Sequence, residues 1–277
     1  MKKTVIRILT VAVLGGFLFA CETKKTNEPV DLSLPNYSDV DTMVLNTILS
    51  VDRNIFMGDE MFSERAEFLR DSLMAFIDSV QKSGSLSELG ADALRVRVFR
   101  YTNDDERTVK WARQAITHNS PEDRKQWYYN YAAGLLARLQ YEKHNYEGYL
   151  RVAVPLLASM DSLGNGTYDE KIDLYSLMAC CYIKLGQPDN AKAVAQKAHD
   201  FCWEVLAVDS SVAIHQVFIN AFACIKDAYV REKNWEEVRR WMAVNDSVGK
   251  LFERRHPDAQ VWPIYHAYTH LDRAIKL

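Results

Sequence analysis

Glycine and proline are both scarce, at 11 and 7 in a chain of 277 residues. So few breakers leave room for long uninterrupted elements and favour helices over a sandwich of many short strands. A basic excess is absent too. The net charge is −3, nothing is spare to neutralise phosphates, and nucleic acid is not an expected partner. Motifs that carry chemistry are missing: there is no G-x-S-x-G, no phosphate-cradling glycine loop and no H-E-x-x-H. Acidic residues lie scattered along helices rather than paired in loops. Neither an enzyme nor a cofactor is expected. No C-x-x-C pair occurs, which disfavours a zinc knuckle or redox motif. Beyond the N-terminus no stretch approaches the ~18 apolar residues that a membrane span needs. What is present is 48% hydrophobic and 26% charged, the composition of a packed core. The length suits one large domain or one continuous repeat array.

From Asp39 onward the apolar residues recur with helical period. Val44, Ile48, Val51 and Ile55 share one face, as do Phe68, Leu69, Leu73, Phe76, Ile77 and Val80. Short breaks follow at Met57–Asp59, Ser83–Ser85, Thr102–Asp105, His118–Pro121, Gly164–Gly166, Gly186–Pro188 and His256–Pro257. Helix, short turn, helix, repeated, is an array of antiparallel hairpins. The spacing predicts helices over Thr42–Phe56, Glu60–Gln81, Leu86–Tyr101, Glu106–Thr117 and Glu122–Lys143, with a last one from about Val261 to Leu277. The expectation is an all-α fold of about ten to eleven helices and no strand.

The N-terminus reads differently. Lys2, Lys3 and Arg7 precede an apolar run from Ile8 to Ala20, broken by Thr10 and Gly15-Gly16, which is the pattern of an export signal. It ends Leu18-Phe19-Ala20-Cys21, which resembles the lipobox of bacterial lipoproteins. Phe19 stands where that motif usually has a small residue. The resemblance implies cleavage after residue 20 and acylation of Cys21, a tether to a membrane without a spanning helix. Residues 21–38, polar and carrying Pro29 and Pro35, read as a flexible linker, and 39–277 as the repeat domain. The implied place is the bacterial cell envelope, on the periplasmic or surface side of the outer membrane.

The clearest hairpin is DLYSLMACCYIKLGQPDNAKAVAQKAH, Asp173 to His199. Tyr182, Gly186, Ala191 and Ala198 follow one another at offsets of 4, 5 and 7. This resembles the tetratricopeptide repeat, whose helix pair carries a Tyr, a turn Gly and small residues at those offsets. Gly186 permits the positive φ that ends the first helix, Ala191 and Ala198 let the second helix approach, and Tyr182 fills the space between neighbouring hairpins. A weaker copy surrounds Tyr141, with Asn145 at the glycine position and Leu150 and Leu157 in place of the alanines. Another surrounds Tyr229, with Lys233 at the turn and Val238 at the first alanine. The tyrosine spacings, 182−141=41 and 229−182=47, exceed the usual ~34. The Leu163–Asp169 loop accounts for one excess and longer helices for the other.

The resemblance places a binding groove along the first helices of successive hairpins. Carried onto this chain it names Glu142 and Lys143; Asp173, Ser176 and Lys184; and Asn220, Asp227 and Arg231. Lys143, Lys184 and Arg231 share one offset from their tyrosines, and such a row of cations, about 10 Å apart, suits an acidic peptide or a chain terminus. The same offset lies near helix C-termini, where cations complement the dipole without any ligand. His266 and His270, at i and i+4, have metal-ligand spacing but no third ligand, so no metal is expected. The aromatic residues Trp127–Tyr129, Tyr131, Trp235, Trp241, Trp262 and Tyr265 read as core between hairpins or as stacking surfaces. Cys180, Cys181, Cys202 and Cys224 sit in helical segments and read as buried free thiols, with a bridge from Cys180 or Cys181 to Cys202 or Cys224 as the sharper alternative. Asp-hydroxyl-apolar triplets begin at Asp41, Asp71, Asp78, Asp161 and Asp246. They resemble an O-glycosylation signal of some Gram-negative anaerobes and also ordinary helix N-caps.

Three functions fit these features. The first is a tethered, non-catalytic scaffold that binds a protein or peptide. The second is a sensory, ligand-binding module: the chain resembles the exported repeat region of large bacterial regulators, and an array that stops at Leu277 in a first helix without a partner suggests truncation. The third is a nutrient- or glycan-binding lipoprotein, although the long insertions of helical sugar-capture proteins are missing.

Overall fold

Most of the described helices start where a short polar side chain takes up a free N–H. The computed structural model describes residues 64–259, and there it contains ten helices and no strand. They are α1 (Glu64–Lys82), α2 (Glu88–Tyr101), α3 (Asp105–Ala115), α4 (Pro121–Arg124), α5 (Trp127–Glu142), α6 (Tyr146–Leu163), α7 (Tyr168–Lys184), α8 (Pro188–Val208), α9 (Val212–Arg231) and α10 (Trp235–Arg255). Ser87, Asp104, Ser120, Asn145, Ser211 and Asn234 each accept a bond from the backbone N–H three residues on. Thr167 goes further: it accepts from the Glu170 N–H while the Glu170 carboxylate accepts from its own, a capping box. Each such cap stabilises its helix by about 1 kcal/mol. The expected helices 42–56 and 261–277 lie outside the described residues. The triplets at Asp71, Asp78, Asp161 and Asp246 fall inside α1, α6 and α10, with exposed hydroxyls, and none acts as an N-cap.

Pairs of helices pack antiparallel as hairpins α2–α3, α5–α6, α7–α8 and α9–α10, with α1 laid against α2. The first helices of neighbouring hairpins then meet, α9 most extensively on α7. Ile77, Leu89, Leu94 and Trp127 form one part of the core, and Phe218, Phe222, Trp241 and Phe252 another. The expected single helix Glu122–Lys143 is two. Gln126 is extended, with ψ of 139°, and Asn165 donates to the Arg124 carbonyl at 2.7 Å. The break swings Trp127 and Tyr128 into the core, where they are 6% and 3% exposed.

The four hairpins share one turn. Asn103, His144, Gly186 and Lys233 all adopt left-handed φ, between 54° and 65°. In each case the next residue donates its N–H five residues back: Asp104 to Phe99, Asn145 to Gln140, Gln187 to Tyr182 and Asn234 to Tyr229. This is the Schellman closure, which satisfies helix-end carbonyls whatever the side chain.

The turn fixes the register and corrects the sequence reading of the second hairpin. Gln140, not Tyr141, stands with Tyr182 and Tyr229. His144, not Asn145, takes the left-handed position, and Asn145 caps α6 instead. The equivalents of Ala191 are therefore Thr108, Tyr149 and Val238. The equivalents of Ala198 are Ala115, Leu156 and Asn245. Tyr149, rather than Leu150, fills the first alanine position at 1% exposure, and its hydroxyl reaches the Leu174 carbonyl at 3.4 Å. Leu156, not Leu157, takes the second. Large residues therefore stand at both alanine positions of the α5–α6 hairpin, one residue earlier than the sequence reading placed them. The loop after α6 is tight. Gly166 has φ of +83°, and a Cβ there would lie 2.8 Å from Met160 Sδ.

Candidate functional site

Two stripes define a cavity of about 320 Å³ between α7 and α9. On α9 the spacing Asn220, Ala223/Cys224, Asp227/Ala228, Arg231 keeps one face in line. On α7, Cys180 and Lys184 are one turn apart. Tyr141, from the end of α5, closes the third side. Small side chains at Ala223, Cys224, Ala228 and Cys180 create the space, while Lys184, Asn220, Asp227 and Arg231 bring polar groups to it. The volume lies at the lower end of those typical for ligand sites, roughly 300–1,000 Å³.

The charges differ in how they are held. Lys184 Nζ lies 2.8 Å from Glu232. Asp227 lies 3.3 Å from Lys226 Nζ. The Arg231 guanidinium and the Asn220 amide make no hydrogen bond or ion pair with any described residue, and both side chains are exposed. Tyr141 is half-buried, edge-on to Tyr146 and Tyr149 with ring centroids 5.9 Å away in both cases. Burial, with the neighbouring thiols, pushes its phenol pKa well above the ordinary value.

Four other expected groove residues lie outside this cavity. Lys143 is the C-cap of α5 and pairs with Asp105 at 3.3 Å. Arg100 joins Asp105 at 3.5 Å to Glu142 at 2.9 Å, and Arg138 joins Glu142 at 3.9 Å to Asp173 at 2.9 Å. These pairs form a ribbon across α3, α2, α5 and α7. Ser176 is buried and donates to the Asp173 carbonyl at 3.0 Å. The expected row of three cations does not form. In the corrected register Glu142 occupies the place of Lys184 and Arg231, so the row reads acid, base, base. Of the packing set, Tyr229, Ala191 and Ala198 are buried and Tyr182 is half-buried. Gly186 has the expected positive φ.

The cysteines add what the sequence left open. All four described thiols are free. Cys180, Cys181 and Cys202 are buried, while Cys224 is half-buried. Cys180 Sγ and Cys224 Sγ lie 3.4 Å apart in the cavity wall. The hydrogen bond from the Cys180 thiol favours the Cys224 thiolate and lowers its pKa. That bond and burial raise Cys180. Burial pushes Cys181 up to about 12. Neither the choice of partner nor its place in the cavity is encoded by spacing along the chain.

Among the described residues no group of three or more His, Cys, Asp or Glu side chains is placed to hold a metal ion. No helix among them is long and apolar enough to cross a membrane. His266, His270, Trp262 and Tyr265 lie outside the described residues, as does Cys21. Trp127, Tyr128 and Trp241 are core, whereas Trp235 is 50% exposed.

No family model matches the chain, and no curated protein matches it. Two solved structures of kinesin light chain nearly identical TPR-like repeats from Podosopora anserina do resemble it. The first is 12% identical with a TM-score of 0.52, covering 79% of this chain and all of that one. The second is 13% identical with a TM-score of 0.50, covering 75% of this chain and 93% of that one. At such identities the likeness concerns fold alone: the chain is an all-α array of antiparallel helical hairpins of the tetratricopeptide-like kind.

Proposed function

We propose that this protein is a non-catalytic scaffold of the bacterial cell envelope, held by a lipid on Cys21, that binds a protein or peptide segment between α7 and α9. The observation that carries the binding reading is the cavity itself. It is preformed and walled by two rigid helices, and it presents Arg231 and Asn220 with no described protein partner. Preformed surfaces limit the ordering cost of binding. The charge pattern favours a segment with a carboxylate opposite Arg231 and Lys184 and a donor opposite Asp227. Tyr141 offers an apolar wall to the same segment. The tether reading rests on Lys2, Lys3, Arg7 and the sequence Leu18–Cys21.

A photo-reactive residue at Ala223 in the full chain, expressed in its own cells, captures whatever segment occupies the cavity, and mass spectrometry identifies it. That segment, as a synthetic peptide, should bind the wild-type protein at least about ten-fold more tightly than Arg231→Ala, a difference of ~1.4 kcal/mol. Equal affinities would remove the cavity from the interface. The tether is tested separately: an acyl-chain label should enter the wild-type protein and not Cys21→Ser.

A further inference from the structure

We infer that Cys180 and Cys224 form a reversible disulfide that staples α7 to α9 in the wall of the cavity. The two thiols come from the first helices of consecutive hairpins, and their sulfurs lie 3.4 Å apart. A disulfide bond measures about 2.04 Å, so closure needs an approach of roughly 1.4 Å, within reach of small side-chain rotations. The Cys180 thiol is already directed at its partner, facing both Cys224 Sγ and the Cys224 carbonyl, the latter at 3.6 Å. The two sulfurs differ in access. Cys180 is 1% exposed, whereas Cys224 is half-buried, and both line the cavity. Cys181, next to Cys180 in sequence, is fully buried in the core formed by α5, α6 and α7, so adjacency does not make it an equal partner.

This asymmetry assigns the roles in thiol–disulfide exchange. A small-molecule disulfide is the oxidant. The Cys224 thiolate attacks one of its sulfurs, forming a mixed disulfide and releasing one small thiolate. Cys180 then loses its proton to solvent through the cavity, and its thiolate attacks Cys224 Sγ, expelling the second small thiolate. Two protein thiols are oxidised by two electrons, and one small disulfide is reduced to two thiols. Lys184 and Ala228 each lie four residues beyond one of the cysteines, one helical turn away. The bond therefore fixes the separation of the two walls that carry the polar groups, which couples the cavity to the redox state of its surroundings.

The test uses the full chain, reduced, then exposed to oxidised glutathione, with non-reducing proteolysis and mass spectrometry. A peptide linking the Cys180-Cys181 segment to Cys224 is expected, and dithiothreitol should dissolve it. Cys181→Ala should retain the crosslink and Cys180→Ser should abolish it, leaving a glutathione adduct on Cys224. Before oxidation, iodoacetamide should modify Cys224 roughly ten-fold faster than Cys181 or Cys202. A crosslink that persists in Cys180→Ser, or one that uses Cys202, overturns the assignment. So does an oxidised wild-type protein with four alkylatable thiols. The wild-type result alone decides whether the bond forms, should a variant fail to fold.

Discussion

Gln140 occupies in its hairpin the place that Tyr182 occupies in the next. The Asn145 N–H bonds the Gln140 carbonyl at 2.8 Å, as the Gln187 N–H bonds that of Tyr182 at 2.9 Å. An aromatic residue and an amide thus share one position, because the turn is closed by backbone and not by side chains. The consequence reaches the groove. The position two residues on holds Glu142, Lys184 and Arg231 in successive hairpins, so its charge changes sign along the array.

The charge position leads to a prediction about Lys143. It lies outside the cavity, so Lys143→Ala should leave peptide affinity unchanged, while Arg231→Ala weakens it. Because Arg231 is exposed and makes no bond within the described structure, its loss should shift stability by no more than about 0.5 kcal/mol. Thermal unfolding of the two variants, beside their binding curves, separates a ligand contact from a folding effect.

The shared turn sets a second test. Lys233 and His144 adopt left-handed φ of 56° and 58°. That conformation costs a side-chain-bearing residue about 1–2 kcal/mol. Lys233→Gly and His144→Gly should therefore stabilise the fold by up to about 1 kcal/mol, once the greater freedom of glycine in the unfolded chain is set against the relief. Gly186→Ala should destabilise it by a similar amount. Urea unfolding midpoints at constant slope report the sign.

Arg95 is the ion whose loss should matter most. It is buried and bonds Asp78 and Asp92 at 2.8 Å and Gln81 at 2.6 Å, with Trp111 stacked 4.7 Å away. Arg95→Met leaves Asp92, itself 6% exposed, close to an uncompensated charge with only His118 at 3.3 Å. A loss of about 3 kcal/mol is expected. The double variant Arg95→Met/Asp92→Leu should recover much of it, and a double variant as unstable as the single one would refute the charge explanation.

His215 makes stability depend on pH. Its side chain is fully buried, Nδ1 donates to the Ser211 carbonyl at 2.9 Å, and Nε2 meets no partner among the described residues. Burial, with the nearby Arg255 and His256, lowers its pKa below the ordinary 6.5, against the opposing bond to Ser211. Below that ordinary value the unfolded chain binds the proton more readily than the folded one. The contribution of His215 is therefore complete above pH ~6.5 and is lost as pH falls through the depressed folded value. The melting temperature should drop less steeply between pH 7 and 5 in His215→Phe than in the wild-type protein.

Oxidation should raise stability. A Cys180–Cys224 bond closes a loop of 224−180=44 residues, for which chain entropy gives an upper bound of about 4 kcal/mol. The melting temperature of the wild-type protein and of Cys181→Ala should rise after treatment with oxidised glutathione, and that of Cys224→Ser should not.

The amino-acid pattern alone determined that the chain folds into paired helices and where several of its turns lie, at Ser83–Ser85, Thr102–Asp105, Gly164–Gly166 and Gly186–Pro188. Period, N-caps and breakers act over a few residues, so Ser87, Thr167, Gly186 and Pro188 carry that information in place. The resemblance to the tetratricopeptide repeat, carried by Tyr182 and Tyr229, placed Lys184, Asn220, Asp227 and Arg231 on first helices. Only the tertiary structure decided that Gln140 is the partner of Tyr182, that Lys143 turns away to Asp105, and that Cys180 meets Cys224 rather than Cys202. Those choices depend on where one hairpin settles against the next. That is set by the summed packing of Tyr149, Phe218, Trp241 and many others, and no spacing along the chain records it.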